Sequence, residues 1–138
     1  MLSSSPPNNN KNYMKDMENI INIKVNAVQK TCFYIRLDPN GGVEECNILW
    51  NDPQELRNEF HRIKNSTQHK KVWKLEGDHT FSLVMYCSRI DNQILNTHIL
   101  PYGFNNDFTG SIYIFKERNE FPHSFRSWEY TKFFENSY

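Results

Sequence analysis

Residues 21–50, INIKVNAVQKTCFYIRLDPNGGVEECNILW, decide the fold class. β-Branched and aromatic residues alternate with polar ones on both sides of Asn40-Gly41, a dipeptide that tolerates the positive φ values of a type I′ turn. The stretch reads as a β-meander ending in a hairpin. A two-residue turn at Asn40-Gly41 sets Phe33 opposite Ile48, Ile35 opposite Cys46 and Arg36 opposite Glu45. One face is then apolar (Phe33, Ile35, Leu37, Cys46, Ile48, Trp50). The other is mixed and carries an Arg–Glu cross-strand pair. The same register keeps Cys32 away from Cys46.

Outward from this hairpin, NDPQELRNEFHRIKNST is the clearest helix in the chain. Asp52 suits the N-cap, Pro53 the first helical position, and Glu55 completes a capping box three residues after the cap. Leu56, Phe60 and Ile63 form one apolar stripe at i, i+4, i+7. Next, KKVWKLEGDHTFSLVMYCSRI reads as a second hairpin. A two-residue turn at Gly77-Asp78 sets Trp73 opposite Ser82, whereas a three-residue loop sets Trp73 opposite Leu83 and Leu75 opposite Phe81. The hydrophobic pattern favours the three-residue loop, because a one-residue slip sends every side chain to the wrong face. Asp91-Asn92 turns the chain toward Ile94–Leu100, and Ser111–Lys116 is a final strand.

The expected architecture is a single α+β domain. An antiparallel sheet of about five to seven strands packs against one well-defined helix, about residues 53–65, with an aromatic C-terminal segment beside it. Residues 1–18 are a polar tail of serines, prolines and asparagines that buries too little apolar surface to order. Residues 19–120 make the β-rich domain and residues 121–138 the aromatic segment. At 138 residues the chain is long enough for its own core without disulfides or metal.

Composition removes several function classes. The formal charge is zero, so no global field points to nucleic acid or membrane and any such argument is local. No run approaches the ~18 apolar residues of a membrane span. The start, MLSSSPPNNNKN, lacks the apolar core of a secretory signal, so an intracellular, cytoplasmic protein is expected. Cys32, Cys46 and Cys87 fall in strands and read as reduced packing thiols. His61, His69, His79, His98 and His123 are scattered, with no HxH, HExxH or CxxC spacing to gather ligands on one metal. No phosphate-binding glycine loop or nucleophile elbow is present. Neither a cofactor nor a small-molecule substrate is expected, and catalysis is the minority reading; an enzyme with a Cys/His site assembled in space is the last alternative.

The electrostatic lead is local. Between residues 57 and 74 stand Arg57, Arg62, Lys64, Lys70, Lys71 and Lys74 against the single acid Glu59. Arg57, His61 and Lys64 share one helix face. Such a face binds phosphates of nucleic acid or anionic lipid headgroups, or is simply a solvated surface balanced by acids elsewhere. The C-terminal segment FPHSFRSWEYTKFFENSY holds seven aromatics in 18 residues. Phe125, Trp128, Tyr130, Phe133 and Phe134 either dock on a partner or a second copy, or fold back over the chain's own sheet. Phe125 and Trp128 have helical spacing, but no continuous stripe is read beyond them.

One stretch goes further than composition. Pro101-Tyr102-Gly103-Phe104-Asn105, followed by Phe108-Thr109-Gly110-Ser111-Ile112-Tyr113-Ile114 and then charged residues, resembles a segment of rhabdovirus matrix proteins. In that family a proline–aromatic–asparagine loop leads into a Gly-Ser/Thr-Ile strand. The order of elements is similar too: proline-bearing tail, strand, helix, strands, aromatic C-terminal segment. The chain departs from the family in its length, in having Ser5-Pro6-Pro7-Asn8 where a Pro-Pro-x-Tyr motif stands, and in lacking a dense N-terminal lysine cluster. The resemblance implies a non-enzymatic virion protein that self-associates and bridges nucleocapsid to the inner membrane leaflet, with residues 57–74 as its anionic contact. The alternative expectation is a small module binding RNA or DNA through the same face.

Overall fold

The loop that closes the first hairpin holds three residues, and this resets the faces of the two strands it joins. The computed structural model describes residues 29–75, 80–100 and 107–135. Strand β1 (Lys30–Leu37) turns into β2 (Val43–Trp50). The Asp38 N–H donates to Gly42 O at 2.8 Å and the Gly41 N–H to Asp38 O at 3.0 Å. Only Gly41 is left-handed, at φ +101°, while Asn40 is absent from the positive-φ residues. Pro39, whose ring fixes φ near −65°, sits in the first corner position and selects a type I turn followed by a left-handed glycine. Asp38 therefore faces Gly42. Carried along the strands, this sets Tyr34 against Cys46 and Cys32 against Ile48, one residue off the Asn-Gly register.

The slip distributes apolar residues to both faces. Ile35 and Leu37 join one core cluster with Leu83, Met85, Cys87, Ile112, Ile114, Phe125 and Phe134. Cys32 and Ile48 join another with Leu56, Phe60, Ile63, Val84, Tyr86 and Phe115. The expected single apolar face is thus replaced by a sheet buried on both sides, in keeping with the period-2 geometry of a strand.

Helix α1 (Pro53–Asn65) follows β2 with the predicted start: Asp52 accepts from the Gln54 and Glu55 N–H groups, and Glu55 reaches back to the cap backbone. Its buried residues are Leu56, Phe60 and Ile63. Strands β3 (His69–Lys74) and β4 (Ser82–Ser88) pair antiparallel with Trp73 opposite Leu83, the register of the three-residue loop. The three loop residues, 77–79, lie outside the described residues. Strand β5 (Thr109–Arg118) pairs with β4 along one edge and with β1 at Ile112–Ile114 along the other. Beyond that point β6 (Phe121–His123) takes over the β1 side of β5, at Lys116–Arg118. It wedges between β5 and the diverging start of β1, where Ser124 Oγ accepts the Phe33 N–H and the Phe125 N–H donates to Phe33 O.

The result is a six-stranded sheet in the order β2-β1-β5-β4-β3, with β6 off that path. The expected single helix is corrected by a second, α2 (Ser127–Glu135). Its first turn is capped partly from afar: Glu45 of β2 accepts the Ser127 N–H at 2.8 Å, and Glu129 reaches back to the Arg126 N–H. Tyr130, Phe133 and Phe134, at i, i+3, i+4, supply the apolar stripe, and they pack with Trp73 on the face opposite α1. The local signals, one turn of aromatics and the Glu129 contact to the Arg126 N–H, are short, and the other capping group, Glu45, is 82 residues away in sequence.

After β4, residues 89–100 form an irregular stretch, not a strand, in which Leu95 makes one isolated bridge to Thr109. Asn96 anchors it. This side chain, 3 % exposed, donates to Leu37 O and Gly110 O and accepts the His98 N–H. The chain divides into two units, Met1–Lys30 and Thr31–Tyr138, and the description above concerns the second. The polar tail and the first strand of the predicted meander lie outside the described residues.

Candidate anionic-partner interface

Helix α1 and edge strand β3 bring part of the predicted basic stretch onto one surface. Partners across an antiparallel pair share a face. Lys70 lies opposite Tyr86, Val72 opposite Val84 and Lys74 opposite Ser82. Tyr86 and Val84 belong to the cluster under α1, so Lys70 and Lys74 flank the helix. Lys64, in the last turn of α1, holds its ammonium 5.0 Å from the centre of the Phe60 ring. Arg57, seven residues earlier on the same side of the helix, stacks 4.9 Å from the Phe121 ring.

Glu117 of β5 is a buried carboxyl near these groups. It is 7 % exposed, and the Tyr86 hydroxyl donates to it. Burial pushes its carboxyl above the ordinary value, while the Tyr86 hydrogen bond and the charges of Lys64 and Lys70 pull the other way. Burial and the Glu117 carboxylate both drive the Tyr86 hydroxyl upward.

The other predicted basic residues go elsewhere. Arg62 forms a two-pronged pair with Glu59 on the helix surface, at 2.8 Å and 2.5 Å. Lys71 lies opposite Met85, on the face away from α1. The interface therefore holds Arg57, Lys64, Lys70 and Lys74. Of the predicted self-association residues, Phe125 and Phe134 are buried in the chain's own core, Tyr130 and Phe133 pack against it, and Trp128 is 65 % exposed.

Sequence reasoning passed over the C-terminal end of β5. Lys116 and Arg118 stand over the Phe81 ring at 5.0 Å and 5.7 Å, beside His123 and Phe121. The available signal was the run KERNEF, where two cations precede a two-residue turn. Asn119 and Glu120 both have positive φ (52° and 62°), the mark of a type I′ hairpin without glycine.

The thiols are poor nucleophiles. Burial pushes Cys32 and Cys87 up to about 11, and Cys46 is raised by burial as well. Among the described residues no group of three or more His, Cys, Asp or Glu could hold a metal ion, and no helix is long and apolar enough to cross a membrane. The chain matches no protein-family model, no curated protein and no solved structure.

Proposed function

We propose that this chain is a non-enzymatic interaction protein that holds a phosphate-bearing anionic partner on the α1–β3 face. The observation that carries the reading is the strand register that puts Lys70 and Lys74 on the α1 side of the sheet, the side on which Lys64 and Arg57 of the helix stand over Phe60 and Phe121. Lys74 and Arg57 extend the positive surface along the strand and the helix. Thiols raised by burial favour packing over catalysis at the cysteines.

In its matrix-like form the same protein self-associates and lies against an anionic membrane leaflet. Trp128, the exposed ring of α2, is then the contact between copies, since aromatics dominate such interfaces. Flotation with phosphatidylserine vesicles and light scattering across a concentration series test this form. It predicts co-flotation that salt weakens, and a mass that rises with concentration and falls back in Trp128→Ala. A monomer at all concentrations that stays with the soluble fraction contradicts it.

A further inference from the structure

Three half-buried rings line the end of the sheet opposite the β1–β2 turn. Phe81 lies 5.1 Å from His123, which lies 6.1 Å from Phe121. Three cations attend the row: Lys116 and Arg118 over Phe81, and Arg57 over Phe121. Lys116 is tied to Glu129 at 2.9 Å. Arg57 and Arg118 are exposed and form no ion pair among the described residues. Burial, and then the neighbouring Arg118 and Lys116, lower the His123 pKa and so disfavour its charged form.

Rings that meet edge to face, at 82° and 78°, beside exposed guanidinium groups suit one kind of anionic polymer. Bases that are not paired can splay and stack on aromatic rings or guanidinium planes while their phosphates meet the arginines. A duplex keeps its bases stacked inside, and a bare polyphosphate has none.

We infer that the Phe81–His123–Phe121 row, with Arg57 and Arg118, is a stacking site for single-stranded nucleic acid. This rests on the anionic-partner reading and names the partner. Arg57 joins the two surfaces, so a strand seated on the rings continues toward Lys64 and Lys70.

Fluorescence anisotropy with a labelled single strand of about 12 nucleotides, a duplex of the same length and a polyphosphate chain tests it. The single strand is expected to bind at least tenfold tighter than the duplex. Phe81→Leu combined with Phe121→Leu reduces single-strand affinity about tenfold or more and leaves polyphosphate binding unchanged. A folding-neutral second arm, Arg57→Gln with Arg118→Gln, lowers the slope of log affinity against log salt by about one to two. Equal binding of all three probes, or a single-strand affinity that neither pair of substitutions moves, overturns the stacking site and leaves the anionic face standing. Failure of every probe to bind removes both.

Discussion

At the residue scale, two carboxyls give the fold opposite responses to pH. Glu45 is held down to about 2, first by its hydrogen bonds from Arg126 and then by the Ser127 N–H. Its folded pKa lies below the ordinary value. The stability it contributes is therefore present above the unfolded carboxylate pKa and lost as the pH falls toward 2. Glu117 is raised by burial, so its contribution is present at low pH and lost as the pH rises through its folded pKa. Glu45→Gln is expected to flatten the fall in melting temperature between roughly pH 5 and pH 2, because it removes the group that titrates there. An unchanged acid limb in a thermal-melt series contradicts the role given to Glu45. Neither carboxyl was legible in the sequence. Glu45 read as the cross-strand partner of Arg36, but Arg36 pairs with Asp38, and the partners of Glu45, Arg126 and Ser127, are more than 80 residues away. Asn96 was hidden for the same reason: its acceptors lie on β1 and β5.

At the element scale, legibility followed the locality of the forces. Helix α1 was readable to its cap because its N-terminal hydrogen bonds and apolar stripe are encoded within 14 residues, Asp52 to Asn65. The β3–β4 register was readable because the hydrophobic pattern penalises a slip. The β1–β2 register was misread by attending to Asn40-Gly41 and not to Pro39. With both faces of the sheet buried, Phe33, Ile35 and Leu37 alternated with Cys32, Tyr34 and Arg36 without revealing which set faced a core. The turn type makes a testable difference. Gly41, at φ +101°, is expected to resist Gly41→Ala at a cost of about 1–2 kcal/mol in chemical denaturation. Asn40, at negative φ, tolerates Asn40→Ala with only the loss of its hydrogen bond to the Gly42 N–H. A reversed order of the two effects restores the two-residue turn. Helix α2 remained unread because its cap comes from a distant strand and its stripe is a single turn of aromatics.

At the scale of the whole molecule, zero net charge conceals an uneven distribution. The predicted stretch of six cations divides on folding: Arg57, Lys64, Lys70 and Lys74 gather beside α1, Arg62 is absorbed by Glu59, and Lys71 goes to the other face. Composition shows the cations but not their sides, because sides depend on a strand register that a one-residue slip inverts. The aromatic segment, half of the functional expectation, mostly completes the core and leaves Trp128 outside. On the proposed function, one face of the sheet, the α1 side, carries the anionic contact. The most direct test measures polyphosphate affinity against salt for the native chain, for Lys70→Glu with Lys74→Glu, and for Lys71→Glu. The account predicts that the double reversal on the α1 side weakens binding at least tenfold and flattens the salt slope by about two or more, while Lys71→Glu changes affinity less than twofold. Equal losses in the two variants, or none in either, contradict it.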